Sequence, residues 1–366
     1  MLVQKHIHFN GVNGIRAICA LAVVVSHSLL SLSFIGIKAG PILGLALYGV
    51  TAFFALSGFL ITYLLIQEKS FFKTISVRKF YLRRILRIWP LYFGYMLIAI
   101  FADIFIFNFT DFSSFKFYLL FFPNIPFAYN NVHMETFIPI FFVGHYWSLG
   151  VEEQFYIFYP WLIKWFKKLL LVLFSVFTLM IGLKLFAKFW SYKSGNPFWY
   201  AWASSTPFDA MVIGGLGAWA YKEYPAVILR LSKIRILQWC IAGIVFLILI
   251  DRLELLNPFS HLLTAAVTVI VIYYAHLLEK PYINLENRYI HYLGKISYGI
   301  YVYHPLVIGL AGLFIKKLAV SAEVKTILFF VIIIVATILL ASLSYKYFEK
   351  HFLNIKLEYA IVKNND

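Results

Sequence analysis

Acidic residues are scarce in this chain: 16 Asp and Glu stand against 32 Lys and Arg in 366 residues. All charged residues together make up only 13%, about half the share of an ordinary soluble domain. That scarcity excludes a pair of soluble domains of this total length. Cysteine is rarer still. Cys19 and Cys240 are the two present, and both fall inside apolar runs, which excludes a disulfide framework and a cysteine-based metal motif. No Gly-Xaa-Ser-Xaa-Gly elbow or Walker-type phosphate loop occurs, and no His/Cys/Asp cluster has metal-ligand spacing. Internal repeats, Gly/Ser linkers and low-complexity tracts are absent. No removable leader is expected, because the first apolar run lacks a small-residue cleavage site and is followed by further runs.

What is abundant is apolar surface. Hydrophobic residues make up 62% of the chain, and the mean hydropathy is +0.82. The runs are continuous rather than alternating, so helices are expected and not a barrel. Each is long enough to approach the ~30 Å of a bilayer interior. Ten spans are expected, near 14–33, 42–66, 88–108, 147–165, 169–187, 205–221, 236–250, 259–278, 296–315 and 327–345. The fold class is thus all-α, a polytopic transmembrane helical bundle. It is expected to form a single domain over 1–366, with no appended soluble domain. The stretch Phe115–Phe122 is too short to cross and ends at Pro123 and Pro126, as an interfacial or re-entrant helix would. The net charge of +16 sits mostly in short loops, where it reads as topology and lipid-headgroup contact and not as nucleic-acid binding. The densest loop carries Lys69, Lys73, Arg78, Lys79, Arg83, Arg84 and Arg87. The positive-inside asymmetry places both termini in the cytoplasm.

Ionisable groups within spans are costly and usually face a polar interior. Arg16 and His27 share the first span, separated by eleven residues, or roughly 16 Å of helix. An imidazole at that depth is suited to general-base work on a hydroxyl; it could equally bond a neighbouring helix. Arg83, Arg84 and Arg87 flank the third span. Guanidiniums held at a membrane surface can grip phosphates bidentately, though the same residues serve as a positive-inside flank. The segment His145-Tyr146-Trp147-Ser148-Leu149-Gly150-Val151-Glu152-Glu153-Gln154-Phe155-Tyr156 sets two adjacent carboxylates inside a span. Packing explains them poorly, an ion or proton path is a rival to a catalytic role, and a helix over this stretch would put His145 and Glu152 on one face. Asp209 precedes the glycine-rich span, and His304 precedes Pro305 inside a late span; either could be structural. Ser57-Gly58-Phe59 reads as a packing signal, and His261 and His276 as satisfied helix histidines.

These segments, in this order, resemble the acyltransferase-3 family of bacterial membrane O-acyltransferases. Gly14-Ile15-Arg16-Ala17 through Val25-Ser26-His27 looks like its first-helix signature. Phe53-Phe54-Ala55-Leu56-Ser57-Gly58-Phe59-Leu60-Ile61 is similar to its second-helix segment. Arg83-Arg84-Ile85-Leu86-Arg87-Ile88-Trp89-Pro90 looks like its Arg-rich third-helix start. Trp147 to Tyr156 is nearly its most specific string. Ile296-Ser297-Tyr298-Gly299-Ile300-Tyr301 to His304 resembles its late-helix motif. One departure is visible: the family often has an Arg two residues before the Asp of the sixth span, and here Pro207 stands two before Asp209. Some relatives also carry an extracellular SGNH esterase-like domain, and none is expected here.

The resemblance implies an acyl-CoA donor, acetyl-CoA by default, and a hydroxyl acceptor on a surface or exported glycan such as an exopolysaccharide or lipopolysaccharide. No metal and no nucleic acid are expected, on the spacing and charge placement given above. The lipid bilayer of the bacterial plasma (inner) membrane surrounds the protein, and glycan-assembly proteins are its expected partners. In this reading His27 is the catalytic base, with Glu153 or Glu152 orienting it. Arg16, Arg83, Arg84 and Arg87 hold the donor. His145, Trp147, Ser148, Tyr156, His304 and Asp209 contact substrate. A proton-coupled secondary transporter or glycolipid flippase is the alternative, since buried His, Glu and Asp suit proton coupling as well. Matching halves with paired broken helices, which such a transporter would often show, are not apparent.

Overall fold

The computed structural model describes residues 9–38, 44–107, 113–133, 141–252, 260–278 and 284–359. Among them every regular element is helical and no strand occurs. In chain order the α-helices are α1 (Val12–Leu30), α2 (Leu45–Phe72), α3 (Val77–Phe105), α4 (Phe115–Leu119), α5 (Asn124–Asn130), α6 (Trp147–Trp165), α7 (Leu169–Ser194), α8 (Phe198–Ser204), α9 (Phe208–Glu223), α10 (Pro225–Ser232), α11 (Arg235–Leu249), α12 (Ser260–Leu277), α13 (Arg288–Lys295), α14 (Ser297–Ile315), α15 (Ala322–Ser344) and α16 (Lys350–Glu358). A 3-10 turn extends α1 over Ser31–Ile35, another precedes α6 over Phe141–Tyr146, and a π-helical turn, Tyr345–Glu349, joins α15 to α16.

Seven of these helices are long and apolar enough to cross a membrane: α1 with its 3-10 extension, α2, α3, α7, α12, α14 and α15 with its continuation. The pair α10 and α11, bent by 77°, makes an eighth if it counts as one span. Ten spans were expected, and the two that fall short do so for physical reasons. The run 147–165 is helix α6, but it carries Glu152, Glu153 and Lys164. The run 205–221 is helix α9, whose 16 residues reach only about 24 Å. The span expected at 236–250 is one arm of the bent pair. The interfacial stretch expected at Phe115–Phe122 is α4, turned at Pro123 into α5. The first residues of the spans expected at 42–66 and 259–278, residues 108–112 and 134–140, and both chain ends lie outside the described residues.

Solvation by lipid explains α7. Across its 26 residues only Leu173 is buried, while Leu171, Phe174, Leu179, Leu185 and Phe186 are each about 60% exposed. A bare apolar helix of that length is untenable in water but suited to hydrocarbon.

The helices gather in two compact units, Met1–Leu56 with Arg78–Tyr92 and Tyr224–Asp366, and Ser57–Val77 with Phe93–Glu223. In the first, α1 packs on α13 and α14, and α14 on α15, around a core of Ala20, Val24, Ile300, Val307, Ile308, Phe329 and Ile333. Small residues permit this closeness: a Cβ on Gly294 would collide with the backbone of Asn13.

In the second unit α9 lies along α7. Gly58 lets α2 approach the Met211 backbone of α9, and Gly215 leaves room for the hydrogen-bonded hydroxyls of Tyr159 and Thr62. The elbow between α4 and α5 is held by α6. Gln154 Nε2 donates to the Phe121 carbonyl (2.7 Å) and to Asn124 Oδ1 (2.8 Å), and Asn124 Nδ2 donates to Thr206 Oγ1 (3.0 Å).

Candidate active site

Three groups of polar residues stand out, two in the first unit and one in the second. The first is a histidine pair. Proline lacks an N–H, so Pro305 within α14 cannot donate to the carbonyl one turn back, that of Tyr301. His304, fully buried, takes up that acceptor: its Nδ1 lies 2.6 Å from the Tyr301 oxygen. A carbonyl only accepts, so His304 Nδ1 carries the proton, and in the neutral ring Nε2 is left with its lone pair. That nitrogen is 2.8 Å from His27 Nδ1. His27 Nδ1 is then the donor, and His27 Nε2 is the basic nitrogen. The two rings are tilted by 26° with centroids 5.0 Å apart. The donor missing at Pro305 thus fixes a tautomer on a different helix, and it aims one imidazole lone pair away from the pair.

The second group is a cationic pocket of about 140 Å³. Arg16 and Arg87 line it, as do Lys295, Tyr298, Glu349, Lys350, Asn354 and Lys356. Arg16 donates to Asn13 Oδ1 (3.2 Å), which keeps the guanidinium on that wall of α1. The other expected donor-binding arginines stand elsewhere. Arg83 donates to the Tyr359 carbonyl (3.0 Å), and the Arg84 guanidinium lies 5.9 Å from the centre of the Phe80 ring. Tyr298 donates to the Ile88 carbonyl of α3 (2.8 Å). The pocket walls are thereby tied to α3.

The third group lies in the second unit. Ser57 Oγ donates to Glu152 Oε1 (2.7 Å), and Tyr156, one turn on, donates to Glu152 Oε2 (3.3 Å). Glu153 is 9% exposed. His145 is buried, with its ring edge-on to Tyr95 and Tyr146. It belongs to the 3-10 turn before α6, so the α-helical face expected to carry both His145 and Glu152 does not extend to it. Ser148 Oγ donates back to the His145 carbonyl (3.3 Å), and Trp147 stacks on Phe127 at 4.8 Å. Asp209, fully buried at the start of α9, pairs with Lys184 of α7 at 2.7 Å.

Four contributors escape a reading by sequence. Ser57 looked like a packing residue and holds a carboxylate. Lys184 is one lysine in an apolar run. Lys356 and Asn354 lie in a basic tail that resembles any positive-inside flank; the one signal is Glu349, a rare acid directly after an apolar run.

The acyltransferase domain family matches residues 9–346 of the chain, and the chain belongs to that family. It is thus a multi-pass membrane protein of an acyltransferase family, as its motifs led us to expect. It is 26% identical to a Staphylococcus aureus (strain COL) protein named as an O-acetyltransferase, over 95% of this chain and 58% of that one. It is also 26% identical to the peptidoglycan O-acetyltransferase OatA of Listeria monocytogenes serovar 1/2a, over 92% of this chain and 54% of that one. With the O-acetyltransferase OatA of Staphylococcus aureus (strain NCTC 8325) the identity is 24%, over 93% and 56%. The chain therefore spans little more than half the length of these curated relatives. No solved structure matches it significantly.

Proposed function

We propose that this protein is a membrane O-acetyltransferase that moves an acetyl group from acetyl-CoA to a hydroxyl of a surface or exported glycan in the bacterial plasma membrane. The observation that carries the reading is the His27–His304 pair, with its one outward lone pair on His27 Nε2. That nitrogen takes the proton of the acceptor hydroxyl as the hydroxyl oxygen bonds the acyl carbon. The carbon–sulfur bond of the thioester breaks, and the thiolate leaves to be protonated. His304 supports the positive charge that develops on His27, because its Nε2 accepts the Nδ1 proton throughout. Base catalysis of this kind contributes about 10²–10⁴-fold, with positioning supplying more. Arg16 and Arg87 hold donor phosphates on the cytoplasmic side. His27 lies eleven residues further along α1, roughly 16 Å away, so the acyl arm runs beside that helix. The acceptor class is supported by the relative named as a peptidoglycan O-acetyltransferase.

The test is purified protein with acetyl-labelled acetyl-CoA and a panel of glycans. Label should move to glycan with wild type and not with His27→Ala, while His27→Ala still binds acetyl-CoA. Transfer that survives His27→Ala would overturn the assignment of the base. Glycan flux across a vesicle without acylation would favour the transporter.

A further inference from the structure

Four helices of the first unit, α1, α2, α11 and α12, bound an apolar groove. Its volume is about 410 Å³. That is nearly three times the ~150 Å³ of a cavity that holds one benzene, which gives room for roughly 16 carbon atoms. The groove is long and narrow. Its lining runs from Gln238 to Leu249 on α11 and from Thr264 to Leu278 along α12, or roughly 16 Å and 21 Å of helix. The groove is separate from the histidine pair and the cationic pocket. Ile15, Ile18, Cys19 and Ala22 face it from one stripe of α1, whereas Arg16 and His27 stand about 100° or more round that helix.

The polar side chains of the lining are engaged within the protein. The Thr264 and Thr268 hydroxyls donate to the Ser260 and Thr264 carbonyls one turn back (2.8 Å each). Gln238 Nε2 donates to the Ser232 carbonyl (2.7 Å). A sugar or a nucleotide would bury its polar groups here without partners, so the groove suits hydrocarbon. Between membrane-crossing helices the hydrocarbon at hand is a lipid chain, and a space of this length and volume takes one.

Charge at one end separates this groove from ordinary lipid contact. Near Leu249, Asp251 accepts from the Gly44 N–H (2.7 Å) and straps the end of α11 to the start of α2. The opposite end lies at Gln238, where the chain bends by 77° from α11 into α10. Arg235 stands one turn before Gln238, on the groove side of α11. Lys233 and Arg230 flank the bend, and all three cations are exposed. No acidic residue occurs from Tyr224 to Ile250. Trp239, 65% exposed, is the residue type that settles at headgroup level. A helix turned so far from a spanning one lies along the bilayer surface, as α10 then does. Cations there attract anionic lipid, each worth about 5-fold in affinity.

We propose that the groove holds one acyl chain of an anionic glycerophospholipid of the surrounding bilayer, with the lipid phosphate at the bend between α10 and α11 against Arg235, Lys233 and Arg230. Such a lipid sits there whether or not acetyl-CoA is the donor.

The experiment uses the full chain, purified in detergent and stripped of lipid. It is offered equal amounts of phosphatidylglycerol and phosphatidylcholine with 16-carbon chains, and retained lipid is read by native mass spectrometry. A phosphatidylglycerol with a diazirine in one chain is then bound and irradiated, and its cross-links are mapped on peptides. Wild type should retain one phosphatidylglycerol at least about 5-fold in preference to phosphatidylcholine, with cross-links concentrated on groove residues such as Val245 and Val271. Arg235→Ala should lower the preference about 5-fold and leave the cross-links in place. Ala242→Trp fills the groove and should abolish both. Leu247→Trp, on the same helix but outside the lining, should behave as wild type, which separates filling of the groove from mere bulk. Cross-links as frequent on the bare helix α7 as on α11 and α12 would overturn the proposal, because the lipid would then be ordinary solvent. Equal retention of the two lipids, or a preference that survives alanine at Arg230, Lys233 and Arg235 together, overturns the headgroup placement. Displacement of the cross-link by a polyprenyl phosphate where unlabelled phosphatidylglycerol fails to compete overturns the proposal in favour of a carrier-lipid groove.

Discussion

Lys184 Nζ stands 2.7 Å from Asp209 Oδ2, tying the middle of α7 to the first turn of α9. The carboxylate is fully buried and the ammonium 12% exposed. The family often places an Arg two residues before this Asp; here that place is Pro207, and the cation comes from another helix. Breaking a buried pair by removing one partner strands a charge, at a cost of about 3–5 kcal/mol. Lys184→Ala should therefore lower the melting temperature of the purified protein sharply. Lys184→Met with Asp209→Leu should restore most of the loss. An unchanged melting temperature in Lys184→Ala would show that the pair does not hold α7 to α9.

The tautomer argument separates His304 from a packing residue. His304→Ala removes the acceptor of the His27 Nδ1 proton. It should cut the acyl transfer rate by roughly 10–100-fold, the scale of one hydrogen bond to a charged group, without weakening acetyl-CoA binding. His304→Gln, which keeps an acceptor, should recover part of the rate. The pH–rate profile should move with His304→Gln, because His304 acts through His27; a profile identical to wild type with a lowered rate would mark His304 as a merely structural residue.

The arginines expected to serve alike do not stand alike. Arg87 lines the cationic pocket, whereas Arg84 lies over Phe80 and outside its lining. Arg87→Ala should weaken coenzyme A binding about 10-fold or more, and Arg84→Ala distinctly less. Equal losses on titration would refute the assignment of phosphate contact to the pocket.

Glycine substitutions test the packing of the second unit. A Cβ on Gly58 runs into the Met211 backbone of α9, while one on Gly182 meets nothing within 4 Å. Gly58→Ala should destabilise by about 1–3 kcal/mol. Gly182→Ala, within the lipid-facing helix α7, should be neutral or stabilise by up to about 1 kcal/mol. Thermal melts of the two variants side by side check the contrast.

The bundle was legible because hydropathy alone places helices, and the family because its motifs are local strings. Arg16, His27, His304 and Glu152 were each legible as candidates for the same reason. Their partners were not. His27 and His304 are 277 residues apart, and nothing within either segment announces the other. Ser57 meets Glu152 across 95 residues. Two expected spans miss the length and polarity that mark a crossing helix: α6 carries three ionisable residues in a stretch that still reads as apolar, and α9 is short. The helical-face argument joining His145 to Glu152 assumed α-helix through a segment that begins as a 3-10 turn. Lys356 was hidden because a lysine after a span is ordinary, and only the π turn before it gives it a direction.

That turn has a consequence for how the tail tolerates change. An inserted residue shifts the phase of everything after it by about 100°. Deleting any one residue between Tyr345 and Glu349 would leave composition, hydropathy and helix content nearly untouched. It would also swing Lys356 and Asn354 away from the arginines, turning the basic face of α16 toward a different neighbour. A length change of a single residue here is therefore a change of face, and two relatives that differ by one residue at this point would present different tails to the same pocket.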